Sequence, residues 1–291
     1  MILVAGATGK IGSKLVPKLL KDGYQVRAIS RNQENLKQLI EQGVDPAVGD
    51  LLDADFVRQA LSGCEQAFFI VQGSPSSGQH QGEEAQMGKN FVTAAKDEGV
   101  KHIVFSGSMG AEGRSGCPIL DAKVIVEKQF EESGLSVTVF RPGNFFDNMF
   151  AFLETISSGF FTLPLDGSVK IPHIAAADIA EYARLAFKRG PQGFEVYDLA
   201  YPDPVSMFDI AMEVSDNLGR MIKYMRISDE QFIEVFTGFG ISFQFCEDML
   251  AMFRWFEQDD FRFDPQKAID QFGHSPMSLQ DFIPELTRHI K

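Results

Sequence analysis

The sequence predicts an α/β fold, in which a doubly wound parallel sheet carries helices on both faces and leads into a smaller, mostly helical C-terminal lobe. Three observations predict this fold class. Short apolar runs alternate with amphipathic helices over the first half of the chain, glycines interrupt the first alternation at a regular spacing, and the pattern becomes irregular after Gly143. Such alternation of strands and helices is typical of parallel sheets that are covered on both faces.

The first strand–helix unit is the most informative part of the chain. An apolar run at residues 2–5 predicts a buried strand, and Gly6, Gly9 and Gly12 follow it before an amphipathic helix begins. This order is that of the dinucleotide-binding unit of the Rossmann fold, here with the spacing GxxGxxG instead of GxGxxG. Gly6 permits the tight turn, Gly9 lets the backbone approach a pyrophosphate, and Gly12 lets helix and strand pack closely. The N–H groups at the helix N-terminus attract phosphate.

The later elements of the sheet follow at regular intervals. Strands are predicted by short apolar runs at residues 25–30, 46–48, 66–71, 102–106 and 136–140. Helices are predicted between them around residues 36–40, 53–61, 83–98 and 122–133. Right-handed crossovers place the ligand crevice at the carboxyl ends of the strands. The stretch 73–82, rich in glycine, serine and glutamine, follows the fourth strand and predicts a loop that would cover a bound cofactor.

The second half of the chain combines a return to the sheet with a separate lobe. Asp178 is predicted to cap a helix, and residues 194–199 to form a further strand. Ser206 and Ser228 are typical helix N-caps, the second with the form of a capping box. A dense aromatic run lies at Phe232, Phe236, Phe239, Phe243, Phe245, Phe253, Trp255, Phe256, Phe261 and Phe263. We therefore expect a Rossmann domain at residues 1–145, to which 174–199 returns, and a smaller substrate-binding lobe at 146–173 and 200–291.

Composition excludes several classes of protein. The formal net charge of −13 and the absence of a basic stripe argue against direct nucleic-acid binding. No apolar run approaches the ~20 residues that span a membrane, and no charged leader precedes the first strand, so neither a membrane segment nor a secretory signal is expected. Cys64, Cys117 and Cys246 have no metal-ligand spacing and fit reduced thiols. We expect a cytoplasmic protein without a metal site.

The end of the second strand indicates which dinucleotide binds. An acidic residue there would hold the ribose 2′-hydroxyl of NAD, whereas an arginine accommodates the 2′-phosphate of NADP. Ser30 and Arg31 occupy this position, and the first carboxylate is Glu34. NADP(H) is therefore predicted, and the alternative is that Arg31 is only a solvated charge at a helix start. Asp50 and Leu51, after the third strand, lie at the height of the adenine, although Asp50 could instead be a helix cap.

Several motifs together carry a resemblance to a known family. They are Gly-Ala-Thr-Gly-Lys-Ile-Gly at 6–12, Arg31, Gly49-Asp50-Leu51, Ser106-Gly-Ser108, Lys123 with Glu127, and Arg141-Pro-Gly-Asn-Phe-Phe at 141–146. On these motifs the chain resembles the NmrA-like family of atypical short-chain dehydrogenases/reductases, and within it the NADPH-dependent quinone and triarylmethane-dye reductases. The cofactor residues that the motifs and the resemblance imply are Gly6, Thr8, Gly9, Lys10, Ile11, Gly12, Ser30, Arg31, Asp50, Leu51, Gln72, Ser106, Lys123, Pro142, Asn144 and Phe145.

The chain departs from the wider superfamily at its catalytic pair. Relatives usually carry Tyr-x-x-x-Lys, in which the tyrosine transfers a proton and the lysine holds the nicotinamide ribose. Here Ile119 stands four residues before Lys123, so the phenol is missing and a simple alcohol dehydrogenase is disfavoured. Lys123 can still bind the ribose, unless it is an exposed helix lysine. Ser106, Ser108 and His173 are the candidate proton donors, although a serine at a strand end can form a turn and a lone histidine can be structural.

The aromatic content suggests an apolar substrate. Most of the 27 phenylalanines must form core, but a pocket walled by Phe and Met would suit a large flat acceptor. The candidate substrate residues are Phe146, Asn148, Met149, Phe239 and Phe243, with Phe150 and Met252 as further candidates.

Two functions from different classes fit these residues. The first is an NADPH-dependent reductase that transfers hydride to an apolar conjugated or aromatic acceptor, such as a quinone or a dye. The second is a non-catalytic sensor that binds NADP(H) and acts through a protein partner, since the resemblance covers such members too. An isomerase or dehydratase is disfavoured because such enzymes usually retain the Tyr/Lys pair. Whether the chain forms a homodimer is left open by the sequence.

Overall fold

A seven-stranded parallel sheet forms the centre of the computed structural model, which describes residues 1–110, 115–258 and 263–290. Its strands are β1 (Ile2–Val4), β2 (Val26–Ser30), β3 (Asp45–Val48), β4 (Gln66–Ile70), β5 (His102–Ser106), β6 (Val137–Pro142) and β10 (Phe194–Leu199). Their order across the sheet is β10-β6-β5-β4-β1-β2-β3, and each neighbouring pair is parallel. The order reverses between β1 and β4, where the Rossmann fold opens its ligand crevice. The predicted fold class is confirmed.

Helices cover both faces of the sheet. In chain order, the helices of the described residues are α1 (Gly12–Lys21), α2 (Lys37–Glu41), α3 (Ala54–Leu61), α4 (His80–Asp97), α5 (Pro118–Glu131), α6 (Leu153–Ser157), α7 (Ala176–Arg189), α8 (Met207–Leu218), α9 (Asp229–Gly238), α10 (Phe243–Phe256), α11 (Gln266–Phe272) and α12 (Leu279–Thr287). Helices α1, α2, α7 and α11 pack on one face of the sheet and α3, α4 and α5 on the other, whereas α6, α8, α9, α10 and α12 belong to the C-terminal lobe. Strand residues alternate between the two faces: Ile2 and Val4 pack with α1 and α7, whereas Leu3 packs with α3, α4 and α5. Burial on both faces explains why the strands are continuously apolar.

The C-terminal lobe contains short strands as well as helices. The pairs are β7 (Asn144–Phe145) with β9 (His173–Ile174) and β8 (Phe160–Leu163) with β11 (Lys223–Arg226), both parallel. These strands have two to four residues, too few for a recognisable alternation of apolar and polar residues. The lobe has its own apolar cluster, built around Phe146, Phe232, Phe253 and Phe282. Of the aromatic run, Phe261 lies outside the described residues.

Most element boundaries agree with the sequence, and the differences have local causes. The strands at His102–Ser106 and Phe194–Leu199 are confirmed, as are the N-caps Ser206 and Ser228, both with capping boxes. Two predictions are wrong. The loop predicted at 73–82 ends earlier because α4 begins at His80, and Asp178 is not a cap.

Asp178 serves a longer-range contact instead of capping its own helix. Ala175 is the N-cap residue of α7, and Asp178 lies in the first turn with its side chain buried. Its two carboxylate oxygens accept hydrogen bonds from Nε2 of His274 at 2.9 Å and from the backbone N–H of Met277 at 3.0 Å. The carboxylate therefore attaches the C-terminal segment to the sheet domain. None of the described helices combines the length and the apolar character that crossing a membrane requires.

Candidate cofactor and substrate cleft

The glycine turn between β1 and α1 has a backbone that side chains would obstruct. Gly6 has a φ of +70°, which L residues rarely adopt. A Cβ on Gly12 would lie 2.2 Å from the carbonyl oxygen of Gly6 and 2.5 Å from Cα of Ala7, so α1 starts directly against the turn. The N-cap residue Ile11 supplies no side-chain cap, and the first turn of α1 contains no acidic residue. The positive end of the helix dipole is therefore not offset by a carboxylate of its own first turn.

This turn forms one wall of a cleft with a volume of about 850 Å³ at the carboxyl ends of the strands. The predicted cofactor residues that line the cleft are Gly6, Thr8, Gly9, Lys10, Ile11, Gly12, Ser30, Arg31, Asp50, Leu51, Gln72, Pro142, Asn144 and Phe145. Ser108 and Asn148 line it as well. Residues far apart in the chain thus meet in one crevice, as the topology of the sheet requires.

One end of the cleft is polar and basic. Arg31 is exposed there beside Asn32 and Asn35, two lining residues that the sequence analysis did not single out. Asn32 starts a short 3₁₀ helix, Gln33–Leu36, and its Oδ1 accepts a hydrogen bond from the N–H of Glu34 at 2.9 Å. The cap therefore starts this helix at the edge of the cleft, and Asn35 within the helix lines the cleft as well. This part of the site could have been predicted from the sequence, because two asparagines follow an arginine at the end of a strand.

The loop after β3 also lines the cleft, with Gly49, Asp50 and Leu51. Oδ1 of Asp50 accepts a hydrogen bond from the N–H of Leu52 at 2.9 Å, so the carboxylate closes its own turn. The buried amide of Asn90 donates to the carbonyl oxygens of Leu51 and Leu52 at 3.0 and 2.9 Å. Asn90 on α4 therefore holds the backbone of this loop in position, and no local sequence pattern indicates this contact.

A chain of four hydrogen bonds crosses the cleft from the glycine turn to the lobe. Nζ of Lys10 donates to Oδ1 of Asn148 at 2.6 Å, and Nδ2 of Asn148 donates to Oδ1 of Asn144 at 3.0 Å. Nδ2 of Asn144 donates to Nε2 of His173 at 2.8 Å, and Nδ1 of His173 donates to the carbonyl of Ile171 at 2.7 Å. A carbonyl only accepts, so the proton of His173 is on Nδ1 and its Nε2 is the acceptor. The direction of every bond in the chain follows from this.

His173 lies behind the cleft wall and not in the lining. Its side chain is buried against Phe146, with ring centroids 5.1 Å apart, and burial lowers its pKa to about 4. At neutral pH the imidazole is therefore uncharged, and both nitrogens are engaged. Burial also lowers the pKa of Lys10, opposed by the nearby charge of Asp147.

Lys123 also lies just behind the lining. Its Nζ donates to the carbonyl oxygen of Val71 at 2.5 Å and to Oε2 of Glu84 at 2.6 Å. Ile119 and Leu120, one turn earlier on α5, do line the cleft. Ser106 is buried at the end of β5, and its Oγ has no hydrogen-bond partner within the described part of the chain.

The other end of the cleft is apolar. Its wall is formed by Met109, Ile119, Leu120, Met252 and Phe256, with Ser108 and Asn148 as the polar side chains beside them. Helix α10 supplies Met252 and Phe256 from successive turns of one face.

The predicted substrate residues are only partly brought together. Asn148 lines the cleft, whereas Phe146 and Met149 are buried in the core of the lobe. Phe239 and Phe243 are 81% and 61% exposed and are not in the lining. The apolar face of α10 that does reach the cleft begins two turns after Phe243. The described residues contain no group of three or more His, Cys, Asp or Glu side chains that could hold a metal.

Comparison with known proteins agrees with this geometry. A model of the NmrA-like family matches residues 1–282. The chain belongs to the NmrA-like family. Among relatives of this NmrA-like chain, the NAD(P)H azoreductase of Xenophilus azovorans is 32% identical over 256 residues, which cover 87% of the chain and 86% of that protein. Quinone oxidoreductase 2 of Escherichia coli (strain K12) is 27% identical and covers 98% of both proteins.

Solved structures show the same fold. The NADPH-dependent quinone oxidoreductase of Escherichia coli, complexed with NADPH, superposes with a TM-score of 0.82 at 26% identity, covering 98% of the NmrA-like chain and 99% of that structure. The triphenylmethane reductase of a Citrobacter species, complexed with NADP(H), has a TM-score of 0.84 at 23% identity, with coverage of 98% and 100%. This second likeness shows the fold alone.

Proposed function

We propose that this chain is an NADPH-dependent oxidoreductase that transfers hydride to an apolar conjugated or aromatic acceptor of the quinone or azo class. The observation that carries the proposal is a single cleft with a phosphate-binding glycine turn on one wall and an apolar methionine and phenylalanine wall at its end. Near-full-length relatives named as an NAD(P)H azoreductase and a quinone oxidoreductase support it.

The residues present fit a dinucleotide phosphate. Gly6, Gly9 and Gly12 leave the turn open to a pyrophosphate, and a Cβ on Gly12 would collide with the backbone. Arg31, with Asn32 and Asn35, would hold the 2′-phosphate, since a guanidinium donates two parallel hydrogen bonds to phosphate oxygens. Pro142, Asn144 and Phe145 would contact the nicotinamide end, as the resemblance implies. The bound cofactor supplies the hydride.

The chain's own residues orient the acceptor and keep water away. Met109, Ile119, Leu120, Met252 and Phe256 would pack against the faces of a flat acceptor and align it with the nicotinamide. Ile119 provides no acid at the point of attack. An acceptor that spreads the incoming charge over a π-system suits this site better than an isolated ketone does.

Ser108 is the proposed proton donor among the lining residues, because its hydroxyl lies beside the apolar wall. Water that enters from the open side of the cleft would return the proton to the serine. His173 is proposed as a positioning residue, because its Nε2 holds Asn144 and through it Asn148. Lys123 has two of its N–H groups engaged by Val71 and Glu84, and a third remains for the ribose of the cofactor. A cytoplasmic location and a homodimer stay predictions.

NADPH oxidation by purified protein tests the proposal directly. The panel contains a naphthoquinone, an azo dye and a triarylmethane dye, with an isolated aliphatic ketone as the control acceptor and NADH as the control donor. Turnover of at least one conjugated acceptor with NADPH, none of the ketone and much weaker rates with NADH are expected. The non-catalytic sensor predicts NADPH binding by calorimetry with no turnover of any acceptor, and that result would overturn the proposal.

A further inference from the structure

We propose that Glu84 is a positioning residue of the cofactor site: it pairs with Lys123 and, together with it, holds the loop between β4 and α4 against the cleft. This inference rests on the proposed function, because it assumes that the cleft binds NADPH. It concerns how the wall that carries Gln72 is held in place.

The loop is held on both sides of Gln72. Residues 71–79 connect β4 to α4, and Ile70, Val71 and Gln72 line the cleft. Before Gln72, the carbonyl oxygen of Val71 accepts a hydrogen bond from Nζ of Lys123 at 2.5 Å. After it, the N–H of Gly73 donates to Oε1 of Glu84 at 3.0 Å. Oε2 of Glu84 accepts from Nζ of Lys123 at 2.6 Å, so one ion pair connects both backbone contacts.

Burial makes this ion pair interdependent. The side chain of Glu84 is 4% exposed and that of Lys123 is 13% exposed. A buried charge is tolerated when it has a partner of opposite sign and hydrogen bonds for its remaining groups. Each of these two charges has its partner, and both oxygens of Glu84 accept hydrogen bonds. Removing one partner leaves the other charged and buried, so the loop would shift to bring water to it. Close packing also holds the loop in place, since a Cβ on Gly73 would lie 2.4 Å from Cα of His80.

The carboxylate also decides what the lysine does. Ile119, one turn earlier on α5, presents an apolar side chain to the cleft, whereas Glu84 reaches Lys123 from the facing helix α4. With Glu84 in place, the ammonium group of Lys123 is held against the carbonyl oxygen of Val71 in the loop. The pair therefore governs how tightly the cleft closes on the cofactor, and has little effect on the hydride transfer step.

Glu84→Gln tests this division of roles. Glutamine keeps the size and an oxygen for Gly73, but places a neutral amide against the ammonium of Lys123. NADPH affinity is measured by energy transfer from the sole tryptophan, Trp255, to bound NADPH. KM and kcat are measured with an oxidised acceptor that the wild-type protein reduces. We expect the dissociation constant and KM for NADPH to rise roughly tenfold or more, with kcat at saturating NADPH changed by less than about threefold.

The double variant Lys123→Met with Glu84→Gln distinguishes loss of the ion pair from a general loss of packing, because only loss of the ion pair predicts that a second substitution restores part of the NADPH affinity. It leaves no charge at the site, so it should bind NADPH more tightly than Lys123→Met alone, which lacks the same ribose contact but leaves the carboxylate of Glu84 buried and unpaired. If Glu84→Gln does not fold, the comparison of Lys123→Met with the double variant decides whether the two charges depend on each other. The matched control is Glu65→Gln, which breaks an exposed pair with Lys101 of 2.8 Å just before β4, at the opposite end of the strand. It should change affinity by less than about twofold.

The outcomes separate this inference from the proposed function. Three results would each overturn the role of Glu84: an affinity of Glu84→Gln for NADPH within about twofold of the wild type, a loss confined to kcat, or a double variant that binds NADPH no more tightly than Lys123→Met. Wild-type protein that binds NADPH but reduces no acceptor would overturn the proposed function, while the affinity comparison still decides the role of Glu84. Wild-type protein that does not bind NADPH would overturn both.

Discussion

We propose that individual side chains at the rim of the cleft set the preference between NADPH and NADH. Arg31 is exposed at the end of β2, and Asn32 and Asn35 are its polar neighbours in the lining. Asp50 is the acidic side chain of the lining, and its Oδ1 is engaged by the N–H of Leu52. A phosphate next to Arg31 would therefore meet a cation and amides.

Arg31→Ala should reduce the preference for NADPH. Loss of a charge-assisted contact of about 1.5–3 kcal/mol corresponds to a roughly 10- to 100-fold higher KM for NADPH, whereas KM for NADH should stay nearly constant. Steady-state kinetics with both donors measure this change. Arg58→Ala is the control, because Arg58 is an exposed arginine that pairs with Asp55 on α3. Equal effects of Arg31→Ala on the two donors would contradict a role at the 2′-phosphate.

At the scale of the element, the start of α1 is the most tightly constrained part of the site. The helix begins at Gly12, where any side chain would meet backbone atoms of Gly6 and Ala7. Backbone cannot move aside as the end of a flexible side chain can. The glycine spacing is therefore a packing requirement as well as a means of approaching phosphate.

Gly12→Ala should destabilise the fold and weaken NADPH binding together. Overpacking against backbone is expected to cost about 3 kcal/mol in the free energy of unfolding, measured by urea denaturation. The matched control is Gly82→Ala in α4, where a Cβ would meet nothing within 4 Å. There alanine should stabilise the protein by about 0.5 kcal/mol, since glycine loses more backbone entropy on folding. If both variants change the free energy of unfolding in the same direction, the contact of the Gly12 Cβ position with the backbone is not the cause of the change.

Helix α10 shows how one element serves two regions. Its buried residues, among them Cys246, Leu250 and Phe253, belong to the core of the lobe, while Met252 and Phe256 line the cleft. At its N-terminal end, the backbone N–H of Ser242 donates to the carbonyl of Pro75 at 3.0 Å. The helix that forms the apolar wall is thus attached to the loop beside the cofactor site.

At the scale of the whole molecule, two buried histidines make stability depend on pH. Burial lowers the pKa of His102 and that of His173 to about 4, from an ordinary value of 6.5. Between these pH values the unfolded chain binds more protons than the folded chain. The part of the unfolding free energy that depends on these two histidines is therefore fully present above about pH 6.5 and decreases as the pH falls. It levels off below about pH 4, after a loss of about 3 kcal/mol for each histidine.

His173→Gln should remove about half of this histidine-dependent decline. Urea denaturation at pH 7 and at pH 4.5 gives the difference in unfolding free energy for the variant and for the wild type, and contributions from carboxyl groups common to both cancel. His289→Gln, at an exposed histidine, is the control and should leave the difference unchanged. A decline as steep in His173→Gln as in the wild type would contradict the assignment of His173 as buried and neutral.

Much of the cleft could be predicted because a parallel sheet of this kind has its ligand crevice at the carboxyl ends of its strands. Strand ends of a parallel sheet meet at one edge, so Gly6, Ser30, Arg31 and Asn144 could be assigned to one crevice from their positions after predicted strands. The substrate end could not be predicted in the same way. Phe146 and Phe243 are both aromatic in the sequence, yet one is core and the other is 61% exposed.

Local pattern by itself determined the strands of the sheet, the glycine turn, and the helix caps at Ser206 and Ser228. These features depend on residues close together in the chain, where periodicity and backbone conformation act directly. Only the tertiary structure decided that Lys123 pairs with Glu84, that His173 faces Asn144, and that α10 forms the apolar wall. Each joins side chains from separate elements, and their contacts depend on how helices pack across the sheet, which local sequence does not encode.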